Sequence, residues 1–447
     1  MVPTLLRIAA PSLLALACAL PAVANTGCID ENSIELHEGH AATAPAAPSM
    51  SPREQLHAMV HAAIERSNAV GAARLLEEAA KDDIEEARAE GKPQVNLIGS
   101  VSRIGSTVDG IDEGTGRQGR ATLSMGAPLY DAGRVSRLVE YRRQLALAAH
   151  DGQLNTQEQI ALQTVSLALE RSRYHLQAEV YRQYASKMSC LVDALQQIVQ
   201  VDHGRASELV QARKTLEEAQ LQADAAKTGE RQMAIRLRRF VGDTLAQSEG
   251  LASVFARLPD VNEILAAAER APDIAALSAQ ADALKNYAGV VDAQGKPQVS
   301  WAVSGSKAGG VGNPSNWSAG VNVTVPLYNP TVAPQERAAR ERAQAAQLQR
   351  ADAVEDRKAR VLDVYEQASS AFDRAHRIVS VLQDSDRVRE YTLQQWQQLG
   401  KRSLFDVMAA EDDHYSLRVS YVNALFDAQE ANALLQSLGG GLYGWLQ

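Results

Sequence analysis

The chain is written twice. Gly91-Lys92-Pro93-Gln94-Val95 recurs as Gly295-Lys296-Pro297-Gln298-Val299, Pro128-Leu129-Tyr130 recurs as Pro326-Leu327-Tyr328, and His203-Gly204-Arg205-Ala206-Ser207 is echoed by Leu399-Gly400-Lys401-Arg402-Ser403. Three anchors in one order, with offsets of 204, 198 and 196 residues, mark a tandem duplication. Any fold for this chain must therefore be built from two similar halves, 51–250 and 251–440, followed by a short tail at 441–447.

Within each half the hydrophobic period changes in the same sequence. Residues 51–90 carry helical spacing, with Leu56, Val60, Ile64, Leu75 and Leu76 set among Glu and Arg, and Pro93 ends that run. Strict alternation follows. Val95, Leu97 and Val101 oppose Asn96, Ser100 and Ser102, and Ala121, Leu123, Met125 and Ala127 oppose Thr122, Ser124 and Gly126. The second half repeats the device with Val299, Trp301 and Val303, then with Trp317, Ala319, Val321, Val323 and Val325 against Ser318, Gly320, Asn322 and Thr324. Each half thus predicts one hairpin, at 94–129 and 298–327, with a greasy face and a wet one.

Strands of this pattern suit a membrane barrel. Four of them cannot close one, and an open sheet edge in lipid leaves backbone groups unpaired at several kcal/mol each. Subunits must then share the barrel, and three would supply twelve strands, an even number within the range of outer-membrane barrels.

Each hairpin is followed by a proline-free stretch, from Asp131 to Gly204 and from Pro334 to Gly400. As single helices these would span roughly 100 Å at about 1.5 Å per residue. Their apolar residues (Leu162, Val165, Leu169 and Leu176, then Leu191, Leu195 and Ile198) fall at three-and-four spacing, which is a seam for a neighbouring helix. At Gly204 and Gly400 the pattern breaks and resumes. A left-handed glycine at each break, with Ser207 or Ser403 capping the returning helix, predicts two helical tips far from the strands.

The first 24 residues, with Arg7, the apolar run from Leu13 to Leu20 and Ala22-Val23-Ala24, have the layout of a cleaved secretion signal, followed by an Ala- and Pro-rich flexible leader at 25–50. The whole chain has 45 basic and 54 acidic residues, a balance unlike that of a nucleic-acid binder. Cys28 and Cys190 are the cysteines left after the signal; a bridge between them and two separate thiols both fit an oxidising compartment. Gly114 to Gly119 spells a nominal dinucleotide fingerprint without a following helix, and reads instead as the outer loop of the first hairpin, with Gly309–Ser315 as its counterpart. Asp109, Asp112 and Glu113 lack the spacing of a calcium loop, the nine histidines show no metal spacing, and no nucleophile motif is present. Neither an enzyme nor a cofactor is expected.

With the signal, the duplication, the paired strands, the Pro128-Leu129-Tyr130-Asp131-Ala132-Gly133-Arg134 segment and the glycine-centred tips, residues 51–440 resemble the TolC-like outer-membrane efflux and secretion channel family. That resemblance implies a mainly α fold with a membrane β part: a tandem-repeat, long-helix coiled-coil tunnel across the periplasm, and four strands per subunit in a homotrimeric twelve-stranded outer-membrane β-barrel. It implies docking of a periplasmic adaptor at Gly204, Arg205, Ser207 and Glu208 in one tip and Gly400, Lys401, Ser403 and Leu404 in the other. The driving partner would be an inner-membrane ABC or proton-driven transporter. It also implies a tunnel gate, with Arg402 and Asp406 matching gate positions, whereas Gln397 stands where an aromatic hydroxyl can occur, and Val210 and Ala409 depart from acids. The first tip, Val201 to Arg213, looks like tips serving type I secretion of large adhesins, while small-molecule efflux shares the architecture. A soluble periplasmic coiled-coil adaptor or scaffold would share the signal and the helices but has no need of two lipid-compatible hairpins.

Overall fold

The computed structural model describes residues 51–108, 111–243, 250–310, 315–399 and 401–447. The signal at 1–24, the leader at 25–50, Cys28, Asp109 and Gly400 lie outside them.

The element order repeats as the sequence does. The first half runs α1 (Pro52–Arg66), α2 (Asn68–Ala89), β1 (Gln94–Val108), β2 (Ile111–Tyr130), α3 (Arg134–Val201) and α4 (Ala206–Val241). The second runs α5 (Val261–Ala268), α6 (Pro272–Gln294), β3 (Gln298–Gly310), β4 (Ser315–Thr324), α7 (Val332–Leu399) and α8 (Leu404–Leu438), and α9 (Leu442–Leu446) closes the chain. Helices α3 and α7 are each 68 residues long. At about 1.5 Å per residue each reaches roughly 100 Å. Helices α2 and α4 pack along α3, and α6 and α8 along α7. A long rod in each half is thus flanked by shorter helices in succession.

The buried stripe of α3 contains Ala161, Val165, Ala168, Leu169 and Ser172, small residues at three- and four-residue steps that let neighbouring helices approach closely. Midway along the rods the stripe widens into the main core, where Leu56, Leu169, Leu237, Leu251, Phe255 and Phe426 meet. Here α8 ties down the loop before α5: Asn432 Nδ2 donates to the carbonyls of Phe255 (2.8 Å) and Arg257 (2.7 Å). The tail is part of this belt. Leu442 and Leu446 are buried, Phe255 stacks on Trp445, and Glu158 of α3 accepts the backbone N–H groups of Leu442 (2.7 Å) and Tyr443 (3.2 Å). Burial pushes the Glu158 carboxyl up despite these two donors.

All four strands form one antiparallel sheet in the order β1-β2-β3-β4, so the two hairpins of the duplication are neighbours. The register aligns the alternation of every strand. Val95, Met125, Val303 and Ala319 form one row across the sheet, and Asn96, Ser124, Ser304 and Ser318 form the next, on the opposite face. The Ser304 and Ser318 hydroxyls are 2.9 Å apart on that polar face. Leu97, Val101 and Trp317 on the apolar face are 74%, 84% and 83% exposed, the kind of apolar surface that marks a membrane or protein contact. The outer edges of β1 and β4 have no partner among the described residues.

One expectation is corrected here. Residues 114–119 are not an outer loop: they lie in β2, where 115–119 pair with 101–105 of β1, and Gly309 and Gly310 likewise belong to β3. Glycines tolerate the extended backbone, and at Gly310 (φ +110°) a side chain would run into the carbonyl oxygen of Arg117. The first hairpin therefore projects beyond the second, whose strands are 13 and 10 residues long against 15 and 20. No described helix is long and apolar enough to cross a membrane.

Candidate functional site

At the far end of the rods the chain turns back twice, by different devices. After α3, Asp202 leaves the helix in an extended conformation and its Oδ1 accepts the N–H of Gly204 at 3.0 Å, closing a single 3₁₀ turn from His203 to Arg205. The Arg205 guanidinium lies 3.7 Å from Asp202 and 3.8 Å from Glu208, holding the turn on both sides. After α7, Ser403 and Asp406 form a reciprocal cap. Ser403 Oγ accepts the Asp406 N–H, and Asp406 Oδ2 accepts both the N–H and the hydroxyl of Ser403 at 2.9 Å. Those donors hold the Asp406 carboxyl below the usual carboxylate range.

Two tip expectations are corrected. Gly204 is not left-handed, because the Asp202 side chain already satisfies its N–H within a tight turn. Ser207 does not cap α4, which begins one residue earlier at Ala206 with no side-chain cap. A third concerns Leu404, which is fully buried rather than presented for docking: it is the first residue of α8 and turns inward onto Val192, Leu195, Ala212, Val407 and Met408, with Leu393 and Trp396 alongside. That cluster draws on α3, α4, α7 and α8, so both tips share one core. Ser207, Lys401, Arg402, Ser403 and Gln397 stay exposed around it, and Arg205 and Glu208 are half-buried. Arg402 donates from Nε to Gln395 at 3.3 Å. The structure brings Arg402 near Asp406 in the chain but commits the carboxylate to the cap.

Sequence reading missed what lies just above the tips. Arg389 of α7 faces Glu411 of α8 at 3.5 Å, with Glu411 only 1% exposed, and also binds Asp386 at 2.6 Å. Tyr184 of α3 donates to Asp412 at 3.2 Å and stacks on Tyr415. Burial pushes His414 down to about 4, so it is neutral beside Arg389 and Arg418. No pattern in the sequence marks this pair, because whether an acid and a base on adjacent antiparallel helices meet depends on how the two helices are rotated. Among the described residues no group of His, Cys, Asp and Glu could hold a metal ion. Cys190 on α3 is disulfide-bonded.

Alternating faces on a shared sheet, unpaired sheet edges and rods of about 100 Å ending in a joined tip describe a duct with a barrel at one end. The model of the outer membrane efflux protein family matches residues 59–243 and 264–441. The chain belongs to the outer membrane efflux protein family. Among solved structures, this channel is similar to CusC (18% identity, 90% of this chain and 99% of that one, TM-score 0.77). It is also similar to VceC from Vibrio cholerae (18%, 87% and 97%, 0.73) and to the open state of the MtrE channel of Neisseria gonorrhoeae (17%, 92% and 96%, 0.73). No curated protein matches the chain by sequence. Members of the family are outer-membrane channels with long periplasmic tunnels, not enzymes; they form trimers and work with periplasmic adaptors and inner-membrane transporters. Three copies of this four-stranded sheet give the twelve-stranded barrel.

The second tip makes a prediction of its own. Ser403→Ala removes the hydroxyl half of the cap, leaving only the Asp406 carboxylate on the backbone N–H, and is expected to raise amide exchange in the first turn of α8 about fivefold. In the native tip the depressed Asp406 carboxyl makes the cap's stabilisation complete above the unfolded carboxylate's range and lost as pH falls through the folded value. Protection of the amides at residues 403–408, corrected for the intrinsic exchange rate, should therefore fall on acidification in the native channel and not in Asp406→Asn, which has no carboxyl to titrate.

Proposed function

We propose that this channel is the exit duct of a tripartite system for type I protein secretion, with a large adhesin as cargo. In this reading residues 1–24 are a removed signal, 25–50 a leader pinned by a Cys28–Cys190 bridge, and 51–250 and 251–440 the two structural repeats. An adaptor grips Gly204, Arg205, Ser207, Glu208, Gly400, Lys401 and Ser403, and an inner-membrane ABC transporter drives export. The observation carrying the docking part is the shared tip core, which holds an exposed ring of polar and basic side chains at the end of the rods. The cargo part rests on the resemblance of Val201–Arg213 to type I secretion tips. Small-molecule efflux is the second reading, favoured by the family's description as efflux channels.

Deleting the chain distinguishes them. Loss of a large protein from the cell surface, with unchanged drug and metal tolerance, supports secretion; hypersensitivity with an intact secretome overturns it in favour of efflux.

The same reading makes Arg402, Asp406 and Gln397 the periplasmic gate. Asp406 also caps α8, so its removal mixes two effects, and Arg402→Ala is the cleaner variant. It is expected to raise single-channel conductance in planar bilayers severalfold by removing a cation from the constriction. Unchanged conductance removes Arg402 from the gate.

A further inference from the structure

The outward face of the sheet is apolar until its extracellular end, where the side chains become cationic. Arg103 of β1 and Arg117 of β2 are direct cross-strand partners. Their parity puts both on the face of Val95, Leu97, Leu123 and Met125, not on the serine-lined face. One strand over, Lys307 of β3 aligns with Ala121 and shares that face. All three are exposed, and none makes an ion pair with another described residue. Like charges directly opposite in a sheet repel. Their juxtaposition calls for an anion that the described residues do not supply.

Height in the membrane identifies that anion. From Tyr130 to Gly119 the outward face of β2 covers roughly 36 Å of strand at about 3.3 Å per residue, or roughly 28 Å of height at a tilt near 40°. The apolar band of such barrels is about 25 Å tall. Arg117 is the next outward residue, so the arginine pair stands where acyl chains give way to headgroups. It is also where β3 ends, with Gly310 against Gln118, and the first hairpin continues alone. Lys307 sits two outward positions lower, where its long stem reaches the same layer by snorkelling. Arg120, three residues from Arg117, serves as an internal contrast: it faces the opposite way and binds Gln118 on the lumen side.

We propose that Arg103, Arg117 and Lys307 form a binding site for the phosphate groups of an outer-leaflet lipid, a phosphorylated glycolipid whose acyl chains lie on Leu97, Val101 and Leu123. Paired guanidinium groups bind phosphate by charge-assisted, forked hydrogen bonds, and three subunits would carry three such sites around the barrel.

The test uses the intact trimer in detergent, stripped of lipid, with bisphosphorylated lipid A as probe and native mass spectrometry as readout. The native trimer is expected to retain lipid A, and the Arg103→Gln/Arg117→Gln/Lys307→Gln variant about tenfold less. Arg120→Gln should behave as native, and dephosphorylated lipid A should bind the native trimer as weakly as lipid A binds the triple variant. Equal retention by the triple variant, an equal loss in Arg120→Gln, or equal binding of the dephosphorylated lipid would each overturn the site. So would displacement of lipid A by millimolar inorganic phosphate, which would make it a simple anion site. If the triple variant fails to form a trimer, the two lipids on the native protein decide alone.

Discussion

Leu123→Arg is expected to abolish assembly of the channel in the membrane, whereas Ser124→Arg, one residue later, is expected to leave it assembled with altered ion selectivity. The difference follows from the register. Leu123 sits between Leu97 and Gly305 on the apolar face; Ser124 sits between Asn96 and Ser304 on the polar face. An arginine facing lipid near the bilayer midplane costs about 2–4 kcal/mol in a barrel, and it recurs three times in a trimer, so the total of roughly 6–12 kcal/mol rivals the stability of an entire domain. An arginine facing the lumen stays in water and adds three positive charges to the pore, which should shift permeability toward anions. Heat-modifiable trimer on an unheated gel and reversal potentials in a salt gradient measure the two effects. If both variants assemble equally well, the faces are assigned wrongly.

Arg389→Ala should loosen the tunnel wall above the tips. Glu411 is almost completely buried and relies on Arg389 as its principal counter-charge. Stripping one partner from a buried pair costs about 3–5 kcal/mol, because the other is left uncompensated. Burial already pushes the Glu411 carboxyl up, with Arg389 and Lys187 opposing that push and Asp386 adding to it. Without Arg389 it rises further. Stability tied to a raised pKa is present below the unfolded value and lost as pH climbs through the folded one, so the deficit should be larger at pH 8 than at pH 5. Hydrogen exchange across 386–392 and 408–415 should report it, and the Arg389→Met/Glu411→Met double variant, which removes both charges, should recover most of the protection. Equal protection in native and single variant would mean that the pair holds nothing together.

Much of this architecture was legible because it rests on period. Alternation between Val95 and Val101, and again between Trp317 and Thr324, is a local signal of strand and face, and the proline-free runs gave two long rods. The duplication supplied the topology, since two matching hairpins in one chain have each other as nearest partners. What failed was local detail in which glycine admits several conformations. Gly114 to Gly119 looked like a loop, yet pairing with β1 decides the backbone, and pairing is not visible in the segment itself. At the tips, Asp202 competed with Gly204 and Ser207 for the role of cap, and a carboxylate one residue before a 3₁₀ turn won. Leu404 carried no mark of direction: being the first apolar residue after a cap, it could face a partner or the core, and the core formed by Trp396 and Leu195 claimed it. The Arg389–Glu411 pair was hidden because it depends on the relative rotation of two helices.

The central claim is that subunits complete one another: four strands cannot make a pore, and three sets can. The most direct measurement is the mass of the mature protein in detergent, with detergent mass subtracted, on the same preparation that is fused to planar bilayers. The account predicts three subunits per particle and discrete single-channel steps. A monomer or dimer that is water-soluble and conducts nothing would contradict it, and would mean that the apolar face of the sheet is covered by something other than lipid.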